Sequence, residues 1–158
     1  MHDNLKKALD RCFFYLKYRP RTEKEIYQYL YKKSKKYKLK QQDIFEIINE
    51  LKKRGYLNDS KFIEWFVDKR IRSKPKAAFI IKSELRGLGI DDELIRNYFE
   101  ENVIDEFQLA VRALGKAKKR FSKIDPTTRK EKEIMFLTRK GFKYDTALMA
   151  VEELNKKD

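Results

Sequence analysis

The stretch from Glu50 to Phe66, ELKKRGYLNDSKFIEWF, restricts the fold more than any other, because one helix ends there and another begins within a few residues. Gly55 can adopt the left-handed backbone conformation that ends many helices, and Tyr56 and Leu57 can then fold back as apolar contacts. A connection this short is stiff. It predicts a helical protein in which the segments on either side of Gly55 are held at a fixed angle.

The residues after Leu57 start the next helix. Three successive polar residues suit an N-cap, and apolar residues from Phe62 onward recur at helical spacing. We therefore expect a structural junction formed by Gly55, Tyr56, Leu57, Asn58, Asp59 and Phe62.

The rest of the chain also favours helices. Only 5 of the 158 residues are glycine and 3 are proline, so strands joined by Gly-rich turns are poorly supported. No apolar run has the length of a bilayer span, and the N-terminus lacks a signal-peptide core. We expect an all-α, cytoplasmic protein that is not associated with a membrane.

The chain offers few residues for catalysis or metal binding. Cys12 is the only cysteine and His2 the only histidine, so disulfide, thiol, zinc and histidine chemistry lose their usual ligands. Neighbouring carboxylates such as Asp91 and Asp92 diverge on a helix and provide no facing acid and base. We expect no enzyme activity, no cofactor and no bound metal, and Cys12 should be buried and unreactive on the apolar stripe of the first helix.

An internal repeat divides the chain into three. Leu85 is followed by Gly89 and Ile90 at the same offsets as Leu137 is followed by Gly141 and Phe142. Leu39 aligns with Ile90 and Phe142 when a four-residue expansion is allowed in the lysine-rich segment 32–40, which we expect to be a helix end and an exposed turn. These three residues stand 51 and 52 positions apart, and periods of this length are typical of tandem helical modules. The pattern predicts an elongated array of nine helices in three trihelical, helix-turn-helix-like repeats, covering residues 1–58, 59–103 and 104–158.

The net charge of +14 predicts attraction to polyanions such as nucleic acid. The surplus is uneven, because residues 1–58 have a balance of +9, residues 59–103 of 0 and residues 104–158 of +5. A proteome rich in lysine would explain the total, but it would not explain the neutral middle. Both interpretations remain open at this point.

The roles of several aromatic side chains, and of the third helix in each repeat, can each be interpreted in more than one way. Phe62, Trp65 and Phe66 are either a stacking platform for bases or core residues, and their helical spacing favours the core. Third helices that begin with acidic residues, such as Asp91, would repel phosphates, which argues against sequence reading by every repeat. At least one of the tyrosines at 27, 29 and 31 should be exposed.

The candidate partner-binding and DNA-binding residues are basic side chains at corresponding breaks of the three repeats. They are Arg19 and Arg21 in the first repeat, Lys69, Arg70, Arg72, Lys74 and Lys76 in the second, and Lys116, Lys118, Lys119 and Arg120 in the third.

Three motifs resemble the RecX family of recombination regulators. They are RPRTEKEIYQYL (Arg19 to Leu30), GYLNDSKF (Gly55 to Phe62) and IKSELRGLGID (Ile81 to Asp91), in the order and spacing of the family. The second motif is the most specific. The chain departs from the family where it reads Ser73, Lys74 and Pro75, because the family usually has a glycine just before the second helix of the middle repeat.

The resemblance implies a non-enzymatic protein that binds the RecA recombinase and its filament on single- and double-stranded DNA. Such a protein inhibits ATP hydrolysis and strand exchange and promotes filament disassembly. It would act as a monomer within the SOS response and homologous recombination. The residues alone indicate a modular, basic, non-catalytic binder, so a free-standing nucleic-acid-binding protein of tandem helix-turn-helix units is the alternative.

Overall fold

The structure, a computed structural model, describes residues 2–156, and in this range it contains nine α-helices, one short 3-10 helix and no strand. The helices are α1 (Asp3–Tyr18), α2 (Glu23–Tyr37), α3 (Gln41–Lys53), α4 (Asp59–Ser73), α5 (Ala78–Gly87), α6 (Asp92–Glu101), α7 (Glu106–Ala117), α8 (Pro126–Arg139) and α9 (Tyr144–Asn155), with the 3-10 helix Lys118–Phe121 before α8. The all-α prediction of three consecutive sets of three helices is confirmed. None of these helices is both long and apolar enough to cross a membrane.

The helices form two compact units. Unit 1 consists of the chain up to Trp65 together with Leu85–Tyr98, and unit 2 consists of Phe66–Glu84 together with the chain from Phe99 onward. The core of unit 1 comes from α1, α2 and α3 and includes Leu9, Ile26, Leu30, Ile47 and Leu51. The core of unit 2 comes from α7, α8 and α9 and includes Leu109, Leu114, Ile134, Leu137 and Val151. The repeat boundaries that the sequence predicts stay a prediction.

Three helix ends share one backbone arrangement. A residue with positive φ lies within two residues of the ends of α2, α5 and α8: Lys38 (51°), Gly89 (86°) and Gly141 (94°). The next amide donates to the carbonyl five residues earlier: Leu39 to Ser34 (2.8 Å), Ile90 to Leu85 (3.1 Å) and Phe142 to Leu137 (3.2 Å). This is the six-to-one hydrogen bond of a Schellman motif. It recurs at the positions that the sequence repeat aligns.

The start of α2 is held by a capping box. The Thr22 hydroxyl oxygen accepts from the Glu25 amide (3.1 Å), and the Glu25 carboxylate accepts from the Thr22 amide (3.1 Å). The Thr22 hydroxyl also donates to the Leu88 carbonyl (2.7 Å) within unit 1. The sequence predicts a helix end and an exposed turn over residues 32–40. The helix does end in this range, at Tyr37, but the Tyr37 ring is buried in the core of unit 1 rather than exposed.

The Gly55 junction has the predicted left-handed backbone, with φ at 81°. The Tyr56 amide donates to the Leu51 carbonyl (2.8 Å), and Leu57 is only 3% exposed. Tyr56 differs from the expectation because its side chain is 54% exposed, although its ring contacts Phe13 edge-on with centroids 4.8 Å apart.

The polar residues of the junction cap two different helices. Asn58 Oδ1 accepts from the Lys61 amide (3.1 Å) and so caps α4. Asp59 Oδ1 accepts instead from the Glu23 amide (3.1 Å), which lies at the start of α2. Asp59 therefore links the junction to the start of α2. Burial raises the pKa of the Asp59 carboxyl, while its hydrogen bond to the Glu23 amide opposes that rise.

The beginning of α5 contradicts one expectation. The sequence predicts a helix from Lys76 to Arg86 with Pro75 suited to its first turn, but α5 begins at Ala78, three residues after Pro75. The Ala77 amide donates to the Lys140 carbonyl (3.0 Å), and the Ala78 amide donates to Glu106 Oε1 (3.0 Å). These contacts with distant residues satisfy the amides at this end and place the helix start after Pro75.

Several side chains lie where the sequence predicts. Cys12 is fully buried, and burial raises the pKa of its thiol to about 12, so little reactive thiolate forms at neutral pH. Phe62 is buried and Trp65 is half-buried, with ring centroids 5.5 Å apart. Tyr31 is exposed, as at least one ring of the tyrosine row must be.

Replacing Gly55 with valine should lower the free energy of unfolding by about 1 kcal/mol or more, because a β-branched residue is strained at positive φ. A Cβ atom at Gly55 would meet nothing within 4 Å, so the cost comes from the backbone alone. Urea unfolding of Gly55→Val measures it. Gly55→Asn is the matched control, because asparagine tolerates this conformation. Equal losses in both variants would contradict a backbone origin.

Asp59→Asn should change the pH dependence of stability. The folded pKa of Asp59 is raised, so its contribution is fully present below its ordinary value of 3.8 and is lost as pH rises through the folded pKa. The asparagine variant keeps an oxygen that can accept from the Glu23 amide but does not ionise. Its free energy of unfolding, relative to the unmodified protein, should therefore increase with pH above about 4. A difference that is constant between pH 3 and pH 7 would refute the assignment.

Candidate nucleic-acid interface

Four basic side chains converge in unit 2. We call them the unit 2 basic cluster, and they are Lys74, Lys76, Arg120 and Lys140. Burial lowers the pKa of the Lys140 ammonium, and the positive charges of the other three residues lower it further. An ammonium group that is disfavoured by neighbouring cations is stabilised when an anion arrives. The cluster is therefore suited to a phosphate group.

Backbone contacts between distant parts of the chain position the cluster. Lys74 and Lys76 lie in the connection between α4 and α5, which the Ala77 amide ties to the Lys140 carbonyl. Gly141 makes this approach possible, because a Cβ there would lie 2.5 Å from Ile80 Cγ1. Gly141, two residues past the end of α8, thus allows Lys140, the C-cap residue of α8, to lie beside the connection that leads into α5.

Phe136 on α8 supports two members of the cluster. The guanidinium carbon of Arg120 lies 5.4 Å from the centroid of its ring, and Lys140 Nζ lies 5.1 Å from the same centroid. The ring packs edge-on against the buried Phe121, with centroids 5.6 Å apart. Cations at these distances are attracted to the ring, which limits the positions that the two side chains adopt.

A groove of about 470 Å³ runs beside Phe136. Its charged lining is entirely basic and consists of Arg120, Lys132, Arg139 and Lys140. Met135, which is half exposed, adds an apolar surface. Positive charge around an apolar and aromatic floor is a combination that suits a nucleic-acid backbone and its bases.

Carboxylates neutralise part of the charge from the second repeat. Glu84 pairs with both Arg70, at 2.8 Å from Nε to Oε2, and Lys76, at 3.5 Å from Nζ to Oε1. Arg72 pairs with Asp68 one turn earlier on α4. Arg70 and Arg72 therefore already have internal partners, and a phosphate would have to compete with them.

The lysines predicted at the break of the third repeat, together with Lys69 of the second, differ in their contacts and exposure. Lys116 donates to the Arg72 carbonyl, which joins the end of α7 to the end of α4 within unit 2. Lys118 donates to the Asn155 side chain (3.1 Å). Lys69 and Lys119 are exposed. Only Arg120 of this set belongs to the unit 2 basic cluster.

Arg19 and Arg21 belong to unit 1 and share one carboxylate. Both pair with Glu25, and the Arg21 side chain is largely buried with its guanidinium carbon 3.9 Å from the ring centroid of Tyr15. Arg21 thus stabilises the entry to α2. Arg19 keeps about a third of its side chain exposed and remains accessible.

Sequence reasoning missed Lys132, Phe136, Arg139 and Lys140. Basic residues at the end of a helix usually complement its dipole, so Arg139 and Lys140 did not stand out. The available signal was the position of Lys140 directly before Gly141, which the internal repeat marks as a helix end. The convergence on the α4–α5 connection depends on contacts between residues more than sixty positions apart, and no local pattern contains it.

Comparison with known proteins identifies the family. The family model described as the first three-helix domain of RecX matches residues 8–34. The regulatory protein RecX of Bacillus velezensis is 33% identical over 96% of this chain and 56% of its own length. The regulatory protein RecX of Streptococcus mutans is 32% identical over 91% of this chain and 54% of its own length.

Solved structures agree with the sequence matches. The crystal structure of RecX from Lactobacillus salivarius superposes with a TM-score of 0.73 at 26% identity, covering 98% of this chain and 99% of that chain. The chain belongs to the RecX family. The matched RecX relatives are named regulatory proteins. The chain spans about half the length of the curated RecX proteins that it matches.

The match to the RecX family model lies in unit 1 and contains the capping box of Thr22 and Glu25. Its match, residues 8–34, includes most of α1 and the first turns of α2. The motif from Arg19 to Leu30, on which the resemblance rests, lies inside this match. The residues that place Arg19 and Arg21 against Glu25 are therefore within the region shared with RecX.

The geometry of the unit 2 basic cluster predicts a change in the pKa of Lys140. Arg120→Gln removes one of the positive charges that disfavour the Lys140 ammonium, so the pKa of Lys140 should rise. NMR titration of the lysine side chains measures it. Lys130→Gln is the matched control, because Lys130 lies near the start of α8 and pairs with Glu152 at 3.8 Å. A Lys140 pKa that responds equally to both variants would contradict the arrangement.

Proposed function

We propose that this protein is a non-enzymatic regulator that binds the RecA recombinase and its filament on DNA. It inhibits ATP hydrolysis and strand exchange and promotes filament disassembly. It acts as a cytoplasmic monomer. Membership of the RecX family supports the regulatory role, and the unit 2 basic cluster is the single structural observation that carries the DNA-binding part.

The chemistry of the unit 2 basic cluster supports contact with phosphates. Three of its four members are lysines, whose ammonium groups bind phosphates as compact charges, and Arg120 adds a planar group that can make two parallel hydrogen bonds. Binding releases counterions from the DNA, so affinity should fall steeply as salt rises. A bound phosphate would also relieve the repulsion between the cations that contributes to the lowered pKa of Lys140.

A role in binding rather than catalysis agrees with the environment of the nearby carboxylates. Glu84 lies between Arg70 and Lys76, and Asp68 pairs with Arg72. Both carboxylates are therefore already engaged in ion pairs. Among residues 2–156, no group of three or more metal-binding side chains is assembled.

The RecA ATPase on single-stranded DNA tests the function. The protein is titrated from well below one molecule per RecA subunit, at constant salt and constant DNA. Inhibition at these substoichiometric ratios supports binding to the filament. Inhibition only when the DNA itself is saturated would favour the alternative, a free-standing DNA-binding protein that competes with RecA.

The contribution of the unit 2 basic cluster is tested by a triple variant, Lys74→Gln, Arg120→Gln and Lys140→Gln. Arg70 is left unchanged because removing it would leave Glu84 without its closest cation. Each lost phosphate contact should lower the slope of log affinity against log salt by about one unit. Fluorescence anisotropy with labelled DNA, repeated at several salt concentrations, measures the slope.

A second triple variant controls for net charge. Lys35→Gln, Lys53→Gln and Lys130→Gln remove the same charge from exposed positions outside the cluster. This variant should keep the salt slope and the ATPase inhibition nearly unchanged. If the cluster variant lost DNA binding but inhibited RecA at the original concentration, DNA and RecA would bind different surfaces, and a shared surface would be ruled out.

A further inference from the structure

A second groove lies in unit 1, beside the Gly55 junction. It has a volume of about 610 Å³ and is formed by the end of α1, the connection into α2, the junction and the first two turns of α4. We call it the junction groove. Its charged lining side chains are all basic: Lys17, Arg19, Arg21 and Lys61. The unit 2 basic cluster contributes nothing to it.

Aromatic rings form much of the remaining wall. Tyr18 is 73% exposed and Tyr56 is 54% exposed, although both rings border the groove. Trp65 is half-buried and contacts the buried Phe62. Large rings that stay exposed in a concave surface mark an interaction site, because covering them with a planar partner would remove apolar area from water.

Each of the two exposed tyrosines contacts a neighbouring aromatic ring. The Tyr56 ring rests edge-on against Phe13, with centroids 4.8 Å apart, and the Tyr18 ring rests edge-on against Phe14 at 6.0 Å. Gly55 holds Tyr56 in place through its left-handed turn and the hydrogen bond from the Tyr56 amide to the Leu51 carbonyl. The Tyr56 ring, which these contacts restrict, should therefore lose less conformational entropy when a ligand stacks on it.

The basic residues of the groove divide into structural and accessible ones. Arg21 already contacts the Tyr15 ring and pairs with Glu25, and Arg19 pairs with the same carboxylate. Lys17 and Lys61 are exposed, on α1 and α4. These two lysines can therefore reach phosphates on a ligand that lies in the groove.

We propose that the junction groove binds unpaired nucleotides of single-stranded nucleic acid. Tyr18 and Tyr56 stack on bases, while Lys17 and Lys61 contact the phosphates. A duplex cannot use the rings, because its base faces are covered by their neighbours, whereas unpaired bases offer free faces to aromatic side chains. The proposal rests on the DNA-binding part of the proposed function and assigns strand preference to this groove.

The protein carries its own reporter for this test. Trp65 is the only tryptophan in the chain, and it borders the groove. Titration with a thymidine oligonucleotide should quench Trp65 fluorescence at the same concentrations at which anisotropy of a labelled oligonucleotide reports binding. A blunt duplex of equal charge should quench it much less. Equal quenching by both would overturn the strand preference.

Variants separate stacking from charge. Tyr18→Ala with Tyr56→Leu should weaken single-strand binding by about fivefold or more for each ring that stacks. Lys61→Gln should lower the salt slope by about one unit. Tyr56→Phe keeps the ring and its contact with Phe13, so it should restore the binding that Tyr56→Leu loses. Tyr31→Ala, at an exposed tyrosine of α2 outside the groove, is the matched control and should also bind normally.

Three outcomes would refute the proposal. The double variant could bind single strands with unchanged affinity while its circular dichroism spectrum shows a folded protein. Tyr56→Phe could bind as weakly as the double variant, which would remove the role of the ring face. A polyglutamate peptide could quench Trp65 and displace the oligonucleotide at equal charge, which would make the groove a site for acidic peptides.

These results are independent of the recombinase. No RecA is present in the assays, so a failure of the junction groove leaves the ATPase test and the unit 2 cluster variant unaffected. If the RecA ATPase were not inhibited at all, single-strand binding in the groove would still be measurable by Trp65 fluorescence. The two proposals therefore fail separately.

Discussion

The structure depends on how its helices end. At each of four helix ends the backbone turns into the left-handed region, and a following amide bonds back to a carbonyl of the last turn. The turn satisfies a carbonyl that would otherwise lack a donor, and it directs a side chain back toward the helix. Leu57, Ile90 and Phe142 are buried just after such turns. Helix direction and core formation are thus set by the same few residues.

Local features of this kind could be predicted from the sequence. Gly55 and the capping box of Thr22 and Glu25 involve residues within a few positions of one another, so spacing and residue type contain the information. Asp59 could not be assigned in this way, because three consecutive polar residues all suit an N-cap. Its choice of the Glu23 amide depends on how α4 approaches the start of α2 within unit 1.

The candidate sites follow the same division. The sequence identified Lys74, Lys76 and Arg120 because they flank breaks in the repeat. It did not identify Lys140, whose importance comes from the hydrogen bond between the Ala77 amide and its own carbonyl. The junction groove was also hidden, because Tyr18 and Tyr56 come from elements almost forty residues apart. Burial of Phe62 follows from helical spacing, whereas exposure of the Tyr56 ring does not.

Lys38 is the only non-glycine residue with positive φ in the range 2–156, and it occupies the place that Gly89 and Gly141 have in the other repeats. A left-handed backbone costs an ordinary L-residue about 1 kcal/mol or more, a cost that glycine avoids. The first repeat therefore keeps an exposed ammonium group at the expense of local backbone energy. At this one position the backbone favours glycine, and a change to glycine would remove a positive charge.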